Sequence, residues 1–550
     1  MIYDVLVVGG GIAGLSAALE AASKGTHVGL VCKSLPLRSN SSMASGGINA
    51  VLSTMEPDEV SAHVADTLKS GQGLCNLDAV RVMCQRAPAT IRKLHKLGVP
   101  FDLTEEEEIS QRSFGGSGKK RTCYIGDKTG SALVQQLFKK CREAGVEFLP
   151  NHFVMNLIES KGRMCGVSVL RKSDSQVLAF AAKAVVLASG GFAGIYNGHT
   201  TNPLDTNGDM LAAALRAKLW VKDLELVQFH PTGLAKNGAL LSEAARGEGG
   251  YLVNSKGERF IDELSTRDKI TRAIMRQMES GEKVFLDVRH LGSAKIETKL
   301  PSLKQTCWSS LNIDVACELI PITPVAHYCM GGIEVDVNAQ TTIKGLFACG
   351  EVACGGAHGA NRLGGNSLIE GAVFGEIAGF NAAHFAIKNI FLPIDYESVA
   401  KEMRRVEYIY GGENLYNVNA LRKQLGKTMF EKVGIYRDEA SLVDAFEYIK
   451  YLRKLTASLH CITKSKDNNV EIVAILELAN ALQVAEAVVF SALSRKDSIG
   501  AHERTDAKGL FASPAHTVVT TLKGGFLKIE RERTGTFWRM KRWLMRHFIN

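Results

Sequence analysis

The residues best equipped for chemistry fall in one polar, glycine-rich segment, His358-Gly-Ala-Asn-Arg362-Leu-Gly-Gly-Asn-Ser-Leu368. An arginine set among glycines offers a planar fork of donors that fits a carboxylate or a phosphate. The glycines let the backbone come close to a bulky ligand. The apolar run Gly345–Glu351 precedes the segment as a strand. Leu368 to Ala383 follows as a helix, whose first turn can receive an anion. A cofactor and an acidic substrate could meet here.

A second chemical signal opens the chain. Asp4–Val8 reads as a buried strand, Gly9-x-Gly11-x-x-Gly14 as a tight turn, and the residues up to about Lys24 as a helix. His27–Cys32 is a second strand, which completes a βαβ unit and gives the glycines the context of a dinucleotide fingerprint. The acidic residue that usually grips a ribose after the second strand is missing, since Val31 is followed by Cys32 and Lys33. Another acid must do that work, and Glu351 is the candidate.

The elements that must position these residues follow from the hydrophobic pattern. Ser34 to Gly47 is a polar loop, with helices at Glu59–Ser70, Leu77–Leu97 and Thr129–Ala144. Phe148–Leu170 reads as a β-meander and Ala184–Ala188 as a separate buried strand before Gly190. Residues 391–505 are mostly helical. The expected class is α/β: a Rossmann-like cofactor-binding domain in two segments, 1–231 and 325–392, an inserted α+β domain at 232–324, a helical domain at 393–506, and a short C-terminal segment at 507–550. At 550 residues, with 45% apolar and 22% charged content, the chain is ordinary for a multidomain globular protein. Twelve cysteines include no Cys-x-x-Cys pair, so a zinc or iron–sulfur site built by this chain alone is not expected. The chain opens on a strand with no apolar leader, which points to the cytoplasm. Residues 523–550 hold eight basic and two acidic residues, six of the nine net positive charges. A nucleic-acid surface on the body is therefore disfavoured. Phe537, Met540, Leu544 and Phe548 share one helical face in 536–550, which fits contact with a membrane surface, docking on a partner, or folding back onto the chain.

Beyond these two signals the ordered motifs carry a resemblance. Lys33–Ser39, Gln111–Gly116, Asp127–Gly130, Gln228–Gly233, Ser242–Gly250, Thr266–Lys269 and Ala326–Gly332, with the segments above, resemble the flavoprotein subunit of fumarate reductases and succinate dehydrogenases, a family that includes L-aspartate oxidase. The similarity runs from residue 2 to about 506. It implies FAD, an α+β capping domain over the flavin at 232–324, and a small dicarboxylate, fumarate or succinate. It also implies an iron–sulfur partner subunit, a membrane-anchor subunit, and a peripheral place on the cytoplasmic face of the inner membrane. Carried over by motif, Arg362 and His327 would clasp one carboxylate, His230 and Ser242 the other, with Gln111 and Phe114 beside them. Arg267 would pass a proton to the substrate carbon, replenished through Glu243 and Arg246. The cofactor would lie on Gly9, Gly11, Ile12, Ala13, Gly14, Cys32, Lys33, Ser39, Asn40, Ser45, Gly46, Gly47, Ser189, Gly190, Asp209, Glu351, Asn366, Ser367 and Leu368. Quinone-linked members carry a flavin-linking histidine where this chain has Asn40. An amide is not nucleophilic enough for that bond, so FAD is expected to be non-covalent, which favours fumarate reduction. L-aspartate oxidase and a soluble, quinone-independent fumarate reductase are the alternative enzymes. A non-catalytic FAD-bound scaffold is the alternative outside catalysis.

Overall fold

The computed structural model describes residues 1–507, 514–522 and 524–533. The 536–550 segment lies outside the described residues. Ile2–Val8 is the centre of a parallel sheet, flanked by Val28–Val31 and by the strand Gln176–Leu187. Val28–Val31, most of Ile2–Val8 and the 184–187 half of the third strand are buried, as expected where helices cover both faces.

The strand expected at Ala184–Ala188 and the meander before it prove to be one continuous element. Gln176–Leu187 pairs antiparallel with Arg163–Arg171 through residues 176–181, then parallel with Ile2–Val8 and with Leu346–Ala348 through residues 181–187. One strand thus ties the hairpin to the cofactor-type sheet. The polar stretch after Ser34 also differs from the expected loop. Pro36–Arg38 forms a 3₁₀ turn with Pro36 at its start, and Asn40–Met43 a single helical turn.

The helix Ile12–Ala22 packs on Asn366–Lys388, which runs five residues past its expected end. Gly375 and Gly379 make that approach possible: a Cβ at these positions would sit 2.5 Å from the Ala13 carbonyl oxygen and 2.2 Å from that of Ala17. A four-stranded antiparallel sheet, in the order Val227–Leu234, Ile320–Cys329, Val284–Asp287 and Tyr251–Asn254, has its own apolar cluster around Leu252, Ile270 and Leu286. The expected limits 232 and 324 fall inside its first and second strands.

Four helices follow: Tyr396–Gly411, Val418–Lys432, Glu439–Thr456 and Val470–Ser494. Each starts where a side chain, Asp395, Asn417, Asp438 or Asn469, accepts from a free backbone N–H of its first turn. Val470–Ser494 is long and apolar enough to cross a bilayer, but most of it is packed inside the protein. The hairpin Ala515–Thr521/Leu527–Arg533 completes a five-stranded sheet against Val221–Lys222.

Candidate active site

A long cleft of about 230 Å³ opens beyond the C-terminal ends of the parallel strands. Its floor is Gly9–Ala13 and Ala188–Gly190, and its sides are formed by Cys32–Pro36, Ser39–Ser41 and Cys349–Glu351. Gly9 has φ +114°, and a Cβ there would meet the Ala188 carbonyl oxygen at 2.3 Å, so only glycine fits. Gly11 begins the helix Ile12–Ala22, whose apolar first turn offers free N–H groups to an anion; that of Ile12 reaches Ser41 Oγ at 3.1 Å. Ser189 Oγ is buried in the cleft wall with no hydrogen-bond partner among the described residues. The glycine cradle, the helix start and this orphaned hydroxyl together fit a dinucleotide cofactor.

The expected cofactor contacts divide. Ile12, Ala13, Asn40, Gly190, Ser367 and Leu368 line the cleft, as does Cys32, whose thiol burial pushes up to about 12 and keeps neutral. Ser39 Oγ pairs with Ser42 Oγ at 3.1 Å. Lys33 borders the cleft, but its ammonium is held by Asp209 at 2.7 Å and Glu477 at 2.9 Å. Arg422 and Asn480 join the same buried network, which fastens the second strand to the helices. Lys33 and Asp209 are therefore already paired with each other.

Glu351 accepts the Cys329 N–H at 2.9 Å, and burial raises its carboxyl to about 7. Gly14 faces the turn, where a Cβ would meet the Gly9 carbonyl oxygen at 1.9 Å. The carbonyls of Ser45 and Gly46 accept from Arg112, and Gly47 packs on Thr122 and Cys123. The Asn366 amide is spent on Asn49, His63 and Thr67.

At one end of the cleft lies a buried cluster of charge. Arg267, in the first turn of the helix Arg267–Glu279, donates from Nε and Nη2 to Glu243 Oε2 at 2.9 and 2.6 Å. Its Nη1 donates to Gln228 Oε1 at 3.1 Å, and Arg362 Nη2 reaches the same oxygen at 3.1 Å. Glu243 also accepts the Gly115 N–H, and Arg246 lies 3.7 Å from it. Burial works against ionisation of Glu243, but Arg267 and Arg246 outweigh it and hold the carboxyl below its usual range. Burial, then the neighbouring Arg267, lowers Arg362 to about 9. Asp268, the sequence neighbour of Arg267, engages Arg272 at 2.6 Å and Asn361 at 2.9 Å.

His230 and His327 face each other with ring centroids 5.0 Å apart. Burial and then Arg267 push both well below the usual histidine range, so both are neutral. His230 Nδ1 accepts the Thr232 N–H at 3.3 Å, which leaves the ring proton on Nε2 as a donor. His327 Nδ1 meets Thr201 Oγ1 at 2.8 Å. Ser242 Oγ accepts the Ala244 N–H, and among the described residues its own O–H meets no acceptor. Phe114 packs against Gly46 and Gly364.

Gln111 does not join this cluster. Its amide nitrogen donates to the Ala50 carbonyl at 2.7 Å and its oxygen accepts from Thr54 Oγ1 at 3.1 Å. Gln228, Asn361 and Asn202 were not among the expected site residues, yet they organise it. Gln228 joins the two arginines, and Asn361 fixes its amide at 2.8 Å. Asn202 links Asn40 at 2.6 Å to the His327 carbonyl at 3.0 Å. Gln228 was findable, because i, i+2 spacing on a strand puts it on the same face as His230.

Residues 4–368 match the FAD binding domain model, and residues 422–520 the fumarate reductase flavoprotein C-terminal model. The chain is 36% identical to a fumarate reductase flavoprotein subunit of Mycobacterium tuberculosis, over 96% of each chain. It is 37% identical to a succinate dehydrogenase flavoprotein subunit of Rickettsia bellii, over 92% of this chain and 90% of that one. A solved chain of E. coli quinol fumarate reductase superposes with a TM-score of 0.92 at 32% identity, covering 97% of both. The chain is an FAD-dependent oxidoreductase and belongs to the family of fumarate reductase and succinate dehydrogenase flavoprotein subunits.

Proposed function

We propose that this chain interconverts fumarate and succinate. The observation that carries the reading is the charge balance around Gln228. Arg267, Arg362 and Arg246 are buried together; Glu243 pairs with Arg267 and Arg246, while Arg362 bonds only the neutral Gln228 amide and the Leu363 carbonyl among the described residues. Buried charges left unmatched are costly, so a dianion completes the site where a neutral or zwitterionic ligand does not. Arg246 Nε and Nη2 and Arg362 Nε have no hydrogen-bond partner among the described residues, which supports the same view.

Bound FAD supplies the two-electron hydride chemistry. The protein binds, orients and protonates. Arg362 with His327 takes one carboxylate, and His230 Nε2–H with the Ser242 hydroxyl takes the other. Arg267 delivers a proton to the substrate carbon, and Glu243 then passes it a replacement from Arg246. Gly9, Gly11 and Ser189 would hold the cofactor. With an asparagine at position 40, the FAD is held without a covalent bond. Electrons come from an iron–sulfur partner subunit that in turn joins a membrane anchor, which makes the chain peripheral on the cytoplasmic face of the membrane. The basic tail 536–550 adds contact with that surface.

The test is fumarate reduction by the purified chain with reduced viologen, run beside L-aspartate oxidation. Fumarate turnover without aspartate turnover is expected. The reverse result would overturn the reading, and activity on neither would favour a scaffold.

A further inference from the structure

Arg362 also touches a buried cluster that the proposed reaction does not use. Its guanidinium carbon sits 4.6 Å from the centroid of the Tyr328 ring. The Tyr328 hydroxyl lies 3.1 Å from His358 Nε2 and 3.3 Å from Glu370 Oε2, and those two groups are 3.7 Å apart. The Tyr328 and His358 rings meet edge to face with centroids 5.3 Å apart. None of these residues, Arg362 included, is more than 6% exposed. They come from three elements: the strand Ile320–Cys329, the glycine-rich loop and the helix Asn366–Lys388.

The geometry restrains the ring in two ways. A hydroxyl placed between a carboxylate and an imidazole cannot swing without giving up both contacts. Burial and the nearby Glu370 raise the phenol well above its usual range, so it stays protonated and able to donate. Arg362, in contrast, has few restraints of its own. Nη2 reaches Gln228, Nη1 reaches the Leu363 carbonyl at 3.3 Å, and Nε has no hydrogen-bond partner among the described residues. The face of an aromatic ring attracts a cation, and does so most strongly where water is excluded. The ring therefore supplies a flat surface that fixes the plane of the guanidinium.

We propose that Tyr328, held by His358 and Glu370, is the positioning residue for Arg362 and so sets the affinity of the site for a dicarboxylate. The inference rests on the dicarboxylate reading above. Tyr328 acts through Arg362 on a carboxylate that is held alike before and during reaction. Its loss therefore raises KM and leaves kcat nearly intact.

The experiment uses the full-length, FAD-loaded chain. Binding of malonate, a dicarboxylate with no double bond to reduce, is followed by its perturbation of the flavin absorbance, and fumarate KM and kcat are measured with reduced viologen. Tyr328→Leu is expected to weaken malonate binding about tenfold or more. Tyr328→Phe, which keeps the ring, should recover most of that loss. Glu370→Gln should weaken binding a few-fold (roughly 2- to 5-fold) with kcat retained. A malonate Kd for Tyr328→Leu within about twofold of wild type, or a fall in kcat with KM unchanged, would overturn the proposal. If the leucine variant does not fold, Tyr328→Phe and Glu370→Gln decide the matter, and wild-type affinity in both sinks it. A wild-type chain that neither binds malonate nor reduces fumarate would defeat the dicarboxylate reading itself, and this inference with it.

Discussion

Arg267 carries the sharpest expectation at the residue scale. It is the guanidinium joined both to the Glu243 relay and, through Gln228, to Arg362. Arg267→Ala should lower kcat by about 10³-fold or more, in the range of a lost general acid. Fumarate binding should survive on Arg362, His230 and His327. Arg267→Lys should not restore the rate, because an ammonium cannot span Glu243 and Gln228 with a planar fork. Steady-state kinetics beside a binding titration checks both, and an active alanine variant would remove Arg267 from its role. Position 40 carries a second expectation. The Asn40 side chain donates to Asn202, and acid precipitation should release all the FAD into the supernatant. Flavin fluorescence left in the pellet would contradict a non-covalent cofactor.

At the scale of elements, strong local patterns were legible and long-range ties were not. Gly9-x-Gly11-x-x-Gly14 between its strand and helix announced the cleft, because every part of that signal lies within about thirty residues. The continuous Gln176–Leu187 strand was hidden, because its two halves serve different neighbours and have different burial patterns. Gln111 was misplaced for a similar reason: adjacency to Phe114 in sequence does not fix which way a strand residue faces. The buried partners of the C-terminal hairpin were also out of reach, since they lie roughly 300 residues upstream. Arg495 donates to Glu225 at 2.5 Å and Asp223 at 3.4 Å, and these acids also hold Thr517 and His516 of the hairpin. Arg495→Leu leaves two buried carboxylates short of a partner and should cost about 3–5 kcal/mol in denaturant unfolding. Burial opposes ionisation of Asp223, but His516, Lys222 and Arg495 hold its carboxyl well below the usual range. That contribution is therefore present at neutral pH and lost as pH falls below about 4. Asp223→Asn should flatten the acid limb of a stability-versus-pH curve, and an unchanged limb would place the acid sensitivity elsewhere.

At the scale of the whole molecule, charge separates two jobs. Positive charge at the active site is buried and matched to a small anion, whereas the charge after Lys523 is a concentrated run at the end of the chain. Ending the chain at Arg533 should leave viologen-linked fumarate reduction within about twofold, since no active-site residue is removed. The same truncation should reduce sedimentation with anionic lipid vesicles, as lost basic residues weaken surface attraction by about 1 kcal/mol each. Equal sedimentation of both forms would take the membrane role from the tail. The closing of the five-stranded sheet by Ala515–Thr521 has a further consequence, for how the protein is made. Val221–Lys222, Asp223 and Glu225 leave the ribosome about 300 residues before the strand that covers them, a wait of roughly 15–60 s at ordinary synthesis rates. Among the described residues the last to line the cofactor cleft is Gly371, so that lining is translated well before the seal forms. The nascent chain thus has an interval in which FAD can enter before the final strand locks the fold.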